Sequence, residues 1–144
     1  MNFASSPIDR PALLAALNEL LEAERAGARI AREMVATLPE ADPWLARVTD
    51  IQHDELRWCR MLMGLIRGLG ATPSALTGDF HGKVMALSDF TERLRLLNRG
   101  QAWVVRRLDA LLDHALPVEV RADLQAMKDA HLGQITRVEQ GLHR

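Results

Sequence analysis

Four segments of the chain carry apolar residues at steps of three and four, which is the spacing of one face of an α-helix. The pattern of the first segment recurs in the third, and the pattern of the second recurs in the fourth. The matched sets are Leu17, Leu20, Ala28 and Ala31 with Leu94, Leu97, Val105 and Leu108, and Val48, Ile51, Cys59 and Leu62 with Leu124, Met127, Ile135 and Val138. This repeat predicts two similar helical hairpins that bury their apolar stripes against each other.

Helix start and stop signals divide the chain into four helices of similar length. The predicted starts carry capping aspartates, prolines and one glutamate, which are Asp9, Pro11, Asp42, Pro43, Asp89, Glu92 and Pro117. The predicted helices extend over residues 9–38, from 42 to Gly68 or Gly70, from 89 to about Leu116, and from 117 towards the C-terminus. Two short connections therefore alternate with one long connection.

The long connection runs from Ala71 to Ser88 and is rich in glycine, threonine and serine. A short helix around Lys83 to Leu87 is one interpretation of this segment, against which Gly82 and the spacing argue, and partial order is expected there. The two short loops make the first two and the last two long helices antiparallel hairpins. The sequence therefore predicts an all-α fold, an antiparallel four-helix bundle with one long crossover between its second and third helices, formed by residues 1–144 as a single domain.

The charge and hydropathy patterns exclude several classes of partner. The formal net charge is -1 and the charges of both signs are interleaved, so the chain has no basic face for nucleic acid. No apolar run approaches the roughly 20 residues that cross a bilayer, and the N-terminal residues lack the features of a signal peptide. We therefore expect a cytoplasmic protein without a membrane partner. Three tryptophans and many alanines that look exposed predict a homodimer.

Each predicted helix carries one polar residue at the middle of its apolar stripe. These residues are Glu24, Glu55, Gln101 and His131. In the matched patterns Glu24 is equivalent to Gln101, and Glu55 is equivalent to His131. Burying such groups without partners costs on the order of several kcal/mol, so they should meet one another, a metal ion or trapped water. The sequence predicts one central polar layer.

Gln52 and Lys128 form a second matched pair, one turn before Glu55 and His131. The ammonium group of Lys128 is expected to lie close to the layer and to neutralise Glu24 or Glu55. The same positive charge would repel a metal cation near His131. Lys128 therefore favours a closed polar network.

At these positions the chain resembles the ferritin-like superfamily, which includes rubrerythrins and bacterioferritins. That family places a glutamate on its first and third helices and a Glu-x-x-His pair on its second and fourth helices, around two metal ions. Glu24, within LLEAERAG, matches the ligand of the first helix, and His131 matches the histidine of the fourth. The other ligand positions hold Gln52, Glu55, Gln101 and Lys128. The resemblance implies a ferritin-like bundle with a degenerate di-metal site.

The sequence Asp50-Ile-Gln-His53 is an alternative placement of the second-helix ligands, with His53 as a metal ligand. At about 100° per residue, Asp50 points away from the face that carries Val48 and Glu55, and His53 lies at its border. A rotation or kink of the helix would be needed to bring His53 inward.

Two functional hypotheses follow from the layer. In the first, Glu24, Glu55 and His131 hold one iron, manganese or zinc ion, because carboxylate and imidazole ligands suit these metals. The resemblance then implies an iron- or manganese-dependent oxidoreductase. In the second, the layer is a closed network with a non-catalytic binding or structural role, which the sequence favours slightly.

A small molecule or cofactor at the layer would be contacted by Gln52, Gln101 and Lys128. Gly100 stands beside Gln101 in the middle of the third helix, where glycine costs about 1 kcal/mol relative to alanine. Close packing of a helix or of a small ligand would explain this glycine. Alternatively, the helix simply tolerates a glycine there without a packing role.

Overall fold

The computed structural model describes residues 6–143 and contains five α-helices in this part of the chain. They are α1 (Arg10–Thr37), α2 (Trp44–Gly68), α3 (Phe80–Met85), α4 (Phe90–Leu112) and α5 (Val118–Leu142). The four long helices pack as a bundle, and the crossover between α2 and α4 contains the short α3. The predicted all-α bundle with one long crossover is confirmed. None of the described helices is both long and apolar enough to cross a membrane.

The predicted capping residues hold the starts of three long helices. The Asp9 carboxylate accepts a hydrogen bond from the backbone N–H of Ala12 at 2.8 Å. Asp42 accepts from the N–H of Trp44 at 2.8 Å, and the Asp89 carboxylate accepts from that of Glu92 at 3.0 Å. Each bond satisfies a backbone donor that has no partner within its own helix.

Two predicted helix boundaries are wrong. The fourth helix in chain order, α4, ends at Leu112 rather than near Leu116, and Pro117 disfavours helical geometry at Leu116 itself. The backbone after the end of α4 forms a hydrogen bond outside the helix, since the N–H of Ala115 donates to the carbonyl of Ser6 at 3.0 Å. The short helix α3 spans Phe80–Met85, so it begins before the predicted Lys83 and includes Gly82.

The core of the bundle consists of two apolar clusters with the polar layer between them. The first cluster includes Leu17, Leu20, Trp58, Leu62, Leu108, Leu124 and Met127. The second includes Ile30, Met34, Val48, Ile51, Leu94, Leu97 and Val138. Helix α1 packs against α2 and α4 against α5, and the two hairpins meet where α1 contacts α4 and α2 contacts α5. Along every long helix the layer residue falls between members of the two clusters.

Gly100 allows α3 to pack closely against α4. A Cβ at this position would lie 2.6 Å from Cζ and 2.8 Å from Cε2 of Phe80, which is closer than van der Waals contact allows. The glycine therefore makes room for an aromatic ring of the crossover, as the close-packing interpretation of the sequence predicted.

Replacing Gly100 with alanine should destabilise the protein by about 1–3 kcal/mol, because the added methyl group must displace the Phe80 ring. The matched control is Gly64→Ala in α2, where a Cβ would meet nothing within 4 Å. That change should stabilise the protein by up to about 1 kcal/mol through helix propensity alone. Urea unfolding of both variants gives the comparison. Equal stabilisation by the two changes would contradict the packing of Phe80 on Gly100.

Candidate metal centre

The four long helices bring their central polar residues into the core at one level of the bundle. Glu24 on α1, Glu55 on α2, Gln101 on α4 and His131 on α5 expose only 1%, 3%, 4% and 2% of their surfaces. Matched helical spacing in the two hairpins produces this layer, because each residue occupies the same point of its apolar stripe. Groups buried to this degree require partners.

Glu24, Glu55 and His131 form a compact set of potential metal ligands. One donor atom from each residue lies within 4.8 Å of the other two. Among residues 6–143, no other group of three or more His, Cys, Asp or Glu side chains is arranged in this way. Since bonds from zinc-like metals to oxygen and nitrogen are roughly 2.0–2.2 Å long, two ligands of one ion lie at most about 4.4 Å apart. The donor atoms thus lie within a range only slightly wider than that limit.

Several donor atoms of this set have no hydrogen-bond partner. Nε2 of His131 lies 2.7 Å from Oε1 of Glu24 in an ion-pair contact, but the contact lacks the directionality of a hydrogen bond, so neither atom makes a hydrogen bond. Oε2 of Glu55 and Nε2 of Gln101 are also buried without a partner. The layer therefore contains several unsatisfied polar atoms that face one another.

The orientation of the His131 ring suits a metal ligand. Its Nδ1–H donates to the backbone carbonyl of Met127 at 2.9 Å, which leaves Nε2 as the atom directed at Glu24. Histidine ligands are commonly held in this way, by a hydrogen bond from the second ring nitrogen. Burial opposes protonation of the imidazole, but the Glu24 carboxylate outweighs it and raises the pKa of His131 above its ordinary value.

Gly27 provides the space that the Glu55 carboxylate occupies. A Cβ on Gly27 would lie 3.0 Å from Cδ of Glu55 and 3.1 Å from each of its carboxylate oxygens. The carboxylate therefore lies against the backbone of α1, three residues after Glu24. The sequence analysis missed Gly27, although its position one turn from a buried glutamate was a usable signal.

The structure corrects the predicted position of Lys128. Its Nζ forms an ion pair with Oδ1 of Asp109 on α4 at 2.6 Å, and both side chains are partly exposed. This partner, rather than burial, raises the pKa of Lys128 above its usual range. The prediction that Lys128 neutralises Glu24 or Glu55 is therefore wrong. No lysine or arginine in the described part of the chain forms an ion pair with either glutamate.

The alternative register of α2 is also wrong. Asp50 and His53 are exposed, whereas Ile51 and Glu55 are buried, because the face that packs on α1 includes the latter pair. Gln52 is only half-buried at the edge of this face. Of the predicted ligand and cofactor contacts, the layer thus contains Glu24, Glu55, Gln101 and His131, while His53, Gln52 and Lys128 lie outside it.

Two buried polar residues that were not predicted extend the layer on α4 and α5. Nε2 of Gln134 donates to the carboxylate of Asp54 at 2.8 Å. Nδ2 of Asn98 donates to the backbone carbonyl of Ile135 at 3.3 Å. Asn98 precedes Gln101 by three residues and Gln134 follows His131 by three, so helical spacing from the known layer residues could have identified both.

Cys59 follows Glu55 by one helical turn but remains a neutral thiol. Burial and the nearby Glu24 carboxylate raise the pKa of Cys59 to about 12. Since the thiolate is the reactive form and the usual metal ligand, this cysteine is a packing residue of the first core cluster.

The raised pKa of His131 predicts a pH dependence of the metal-free protein. The folded state binds the imidazole proton more tightly than the unfolded state, whose histidine titrates near 6.5. The resulting stabilisation is therefore complete below pH 6.5 and is lost as the pH rises through the higher folded-state pKa. We expect the free energy of unfolding of wild type relative to His131→Gln to fall over this window, measured by urea unfolding in EDTA. A constant difference would contradict the His131–Glu24 ion pair.

A pocket of about 500 Å³ leads from the surface to the polar layer. Its lining includes Glu24, Glu55 and Gln101 from the layer, and Phe80 from the crossover. This volume is within the range of small-molecule sites, roughly 300–1,000 Å³. The layer is thus reachable from one side of the bundle.

Comparison with known proteins identifies the family of the chain but no characterised relative. No curated protein and no solved structure matches it. A family described as "Domain of unknown function (DUF6306)" matches residues 11–140, which include all four long helices except the ends of α1 and α5. The chain belongs to this DUF6306 family.

Proposed function

We propose that the protein binds one iron(II) or manganese(II) ion through Glu24, Glu55 and His131. The observation that supports the proposal best is a set of three buried ligand-type side chains with donor atoms within 4.8 Å of one another, in which Oε2 of Glu55 has no partner and Glu24 and His131 are held together only by an ion-pair contact. Hydrogen bonds among the three do not satisfy these atoms. A shared cation would satisfy them together.

The charge of the layer supports the same conclusion. With both glutamates ionised, two carboxylates and one protonated imidazole would leave a net negative charge between two apolar clusters, and buried charge without compensation is strongly unfavourable. A divalent ion with a neutral imidazole balances both carboxylates. The main argument for a closed network was the ammonium of Lys128, and that group pairs with Asp109 instead.

The donor set suits iron(II) or manganese(II) and lacks the sulfur ligands that copper(I) prefers. Carboxylate oxygens suit manganese, imidazole suits iron, and the only nearby thiol, Cys59, is not among the three donors. Three protein ligands leave coordination positions free for water or a substrate. The resemblance of Glu24 and His131 to ferritin-like ligands agrees with such a metal, although the remaining ligand positions differ.

The residues of the layer and two of their neighbours each have a defined role in this proposal. Glu24 and Glu55 supply negative oxygen donors, and Gly27 holds the Glu55 carboxylate against α1. The backbone carbonyl of Met127 orients the imidazole of His131, and Gln101 lines the pocket with an amide nitrogen that has no hydrogen-bond partner. When bound, an iron or manganese ion with free coordination positions supplies Lewis-acid or oxygen-dependent redox chemistry. The two apolar clusters keep bulk water from the layer except through the pocket.

The proposal predicts one ion per chain. Only three described ligand-type residues meet, and Gln101 stands where a second carboxylate would be needed to hold a second ion. The homodimer and the cytoplasmic location remain predictions from the sequence.

The test is anaerobic loading of purified, EDTA-treated protein with iron(II) or manganese(II), followed by gel filtration and elemental analysis. We expect about one ion per chain in wild type and far less in Glu24→Gln. The matched control is Glu40→Gln, which changes an exposed glutamate between α1 and α2. Two tightly bound ions would contradict the single site, and no bound ion in any form would leave a metal-free Glu24–His131 pair.

A further inference from the structure

We infer that the pocket beside the polar layer is a ligand site for a neutral, mainly apolar molecule with one hydrogen-bond-accepting oxygen at its inner end. The inference deepens the proposed function and rests on it for the role of the ligand as a substrate of the metal centre. The binding itself is a property of the pocket and can be measured without metal.

The walls of the pocket select an apolar body. Side chains of α4 and the crossover form much of the lining, including Leu96, Trp103, Val104 and Phe80. The Phe80 ring is held against Gly100, and the neighbouring His81 contacts the Glu33 carboxylate of α1 at 2.7 Å. The crossover wall is thus attached to both α4 and α1. A volume of about 500 Å³ accommodates a molecule with one or two rings.

The inner end of the pocket selects a hydrogen-bond acceptor. Gln101 lines the pocket, is almost completely buried, and has an Nε2 group without any partner. An unsatisfied buried amide N–H costs free energy that a ligand oxygen can recover. Sites with such a donor discriminate strongly against analogues that lack the acceptor.

The charges around the pocket favour a neutral ligand. Glu24 and Glu55 lie at its inner end, so a carboxylate on the ligand would be repelled there in the metal-free protein. Once a divalent ion balances Glu24 and Glu55, no free acid is left for a cationic ligand, because the acids at the mouth already have partners. Glu19 pairs with Arg107, and Glu22 accepts a hydrogen bond from Oγ of Ser74 at 2.7 Å. A ketone or aldehyde oxygen combines neutrality with acceptor strength.

Two probes of nearly the same shape test the inference in the EDTA-treated protein. 2-Acetylnaphthalene has a carbonyl oxygen, and 2-isopropenylnaphthalene has a methylene group in its place. We expect 2-acetylnaphthalene to bind wild type with a Kd about five- to tenfold lower than that of 2-isopropenylnaphthalene, as one neutral hydrogen bond implies. Titrations by ligand-observed NMR give both constants on the same folded protein.

Gln101→Leu removes the amide and keeps an apolar side chain of similar size. In this variant the preference for the ketone should disappear, while binding of 2-isopropenylnaphthalene should stay within about twofold of wild type. Gln125→Leu, which changes an exposed glutamine on α5, is the matched control and should keep the preference. Ala23→Leu places a larger side chain into the pocket and should weaken both probes at least about tenfold.

Absence of binding by both probes, or equal binding of both to wild type, would overturn the inference. Retention of the ketone preference in Gln101→Leu would overturn the role of Gln101. Cobalt(II) uptake by the same protein without probe tests the proposed function separately, through its visible absorption. A change of that absorption on adding 2-acetylnaphthalene supports a ligand next to the metal, and an unchanged spectrum contradicts that adjacency.

Discussion

Replacing His131 with alanine should lower the affinity of the protein for manganese(II) by at least about 100-fold, more than the loss of an outer hydrogen-bond partner usually causes. The imidazole is the only nitrogen donor in the set, and its removal leaves the ion with only the two carboxylate ligands. Competition titration against a chelator of known affinity measures the change. The variant should retain its helical circular dichroism, because the two apolar clusters are untouched.

The control for His131→Ala is His53→Ala, which removes an exposed histidine from α2. Its manganese affinity should equal that of wild type. A loss of affinity in His53→Ala would revive the Asp50–His53 register that the structure rejects. Equal affinity of wild type and His131→Ala would show that the layer does not bind the ion.

Changing Glu55 to glutamine should have opposite effects with and without metal. In the metal-free protein Glu24 is compensated by His131, whereas Glu55 has no positive partner among the described residues. Removing that buried charge should stabilise the metal-free protein by about 2 kcal/mol, since burying a single ion costs several kcal/mol. The same change removes a ligand, so the stabilisation that manganese adds to wild type should disappear.

Thermal unfolding in EDTA and in excess manganese(II) measures both effects. Glu40→Gln should change neither, since Glu40 is exposed. If Glu55→Gln destabilises the metal-free protein, the Glu55 carboxylate has a stabilising partner that the charge argument omits. Natural sites often combine such local destabilisation with function.

The sequence predicted the bundle and the central layer well because both depend on one periodic pattern. An apolar stripe must face the core, so a polar residue in the middle of the stripe must be buried with it. Glu24 and His131 could therefore be placed without knowledge of any contact between helices. The start of α1 at Asp9 followed from local capping rules for the same reason.

The errors concern residues at the borders of a stripe. Lys128 lies about 60° around the helix from His131, where a long side chain can turn either to the core or to solvent. Asp109, on the neighbouring helix, determines the outcome, and its proximity is a tertiary fact that spacing on one helix does not contain. Gly27 and Asn98 were missed although their helical positions could be read from the sequence, whereas the contact of Gly27 with the Glu55 carboxylate depends on how closely α1 and α2 approach.

The polar layer divides the apolar interior into two halves with separate packing. Residues of the two halves belong to separate apolar clusters, and substitutions without shared partners usually have additive effects on stability. Leu20→Ala in one half and Ile51→Val in the other should therefore combine almost additively, whereas two changes in one half should not. One end of the molecule can in this way accumulate changes of volume and shape while the opposite end, with its own complementary side chains, stays as it is.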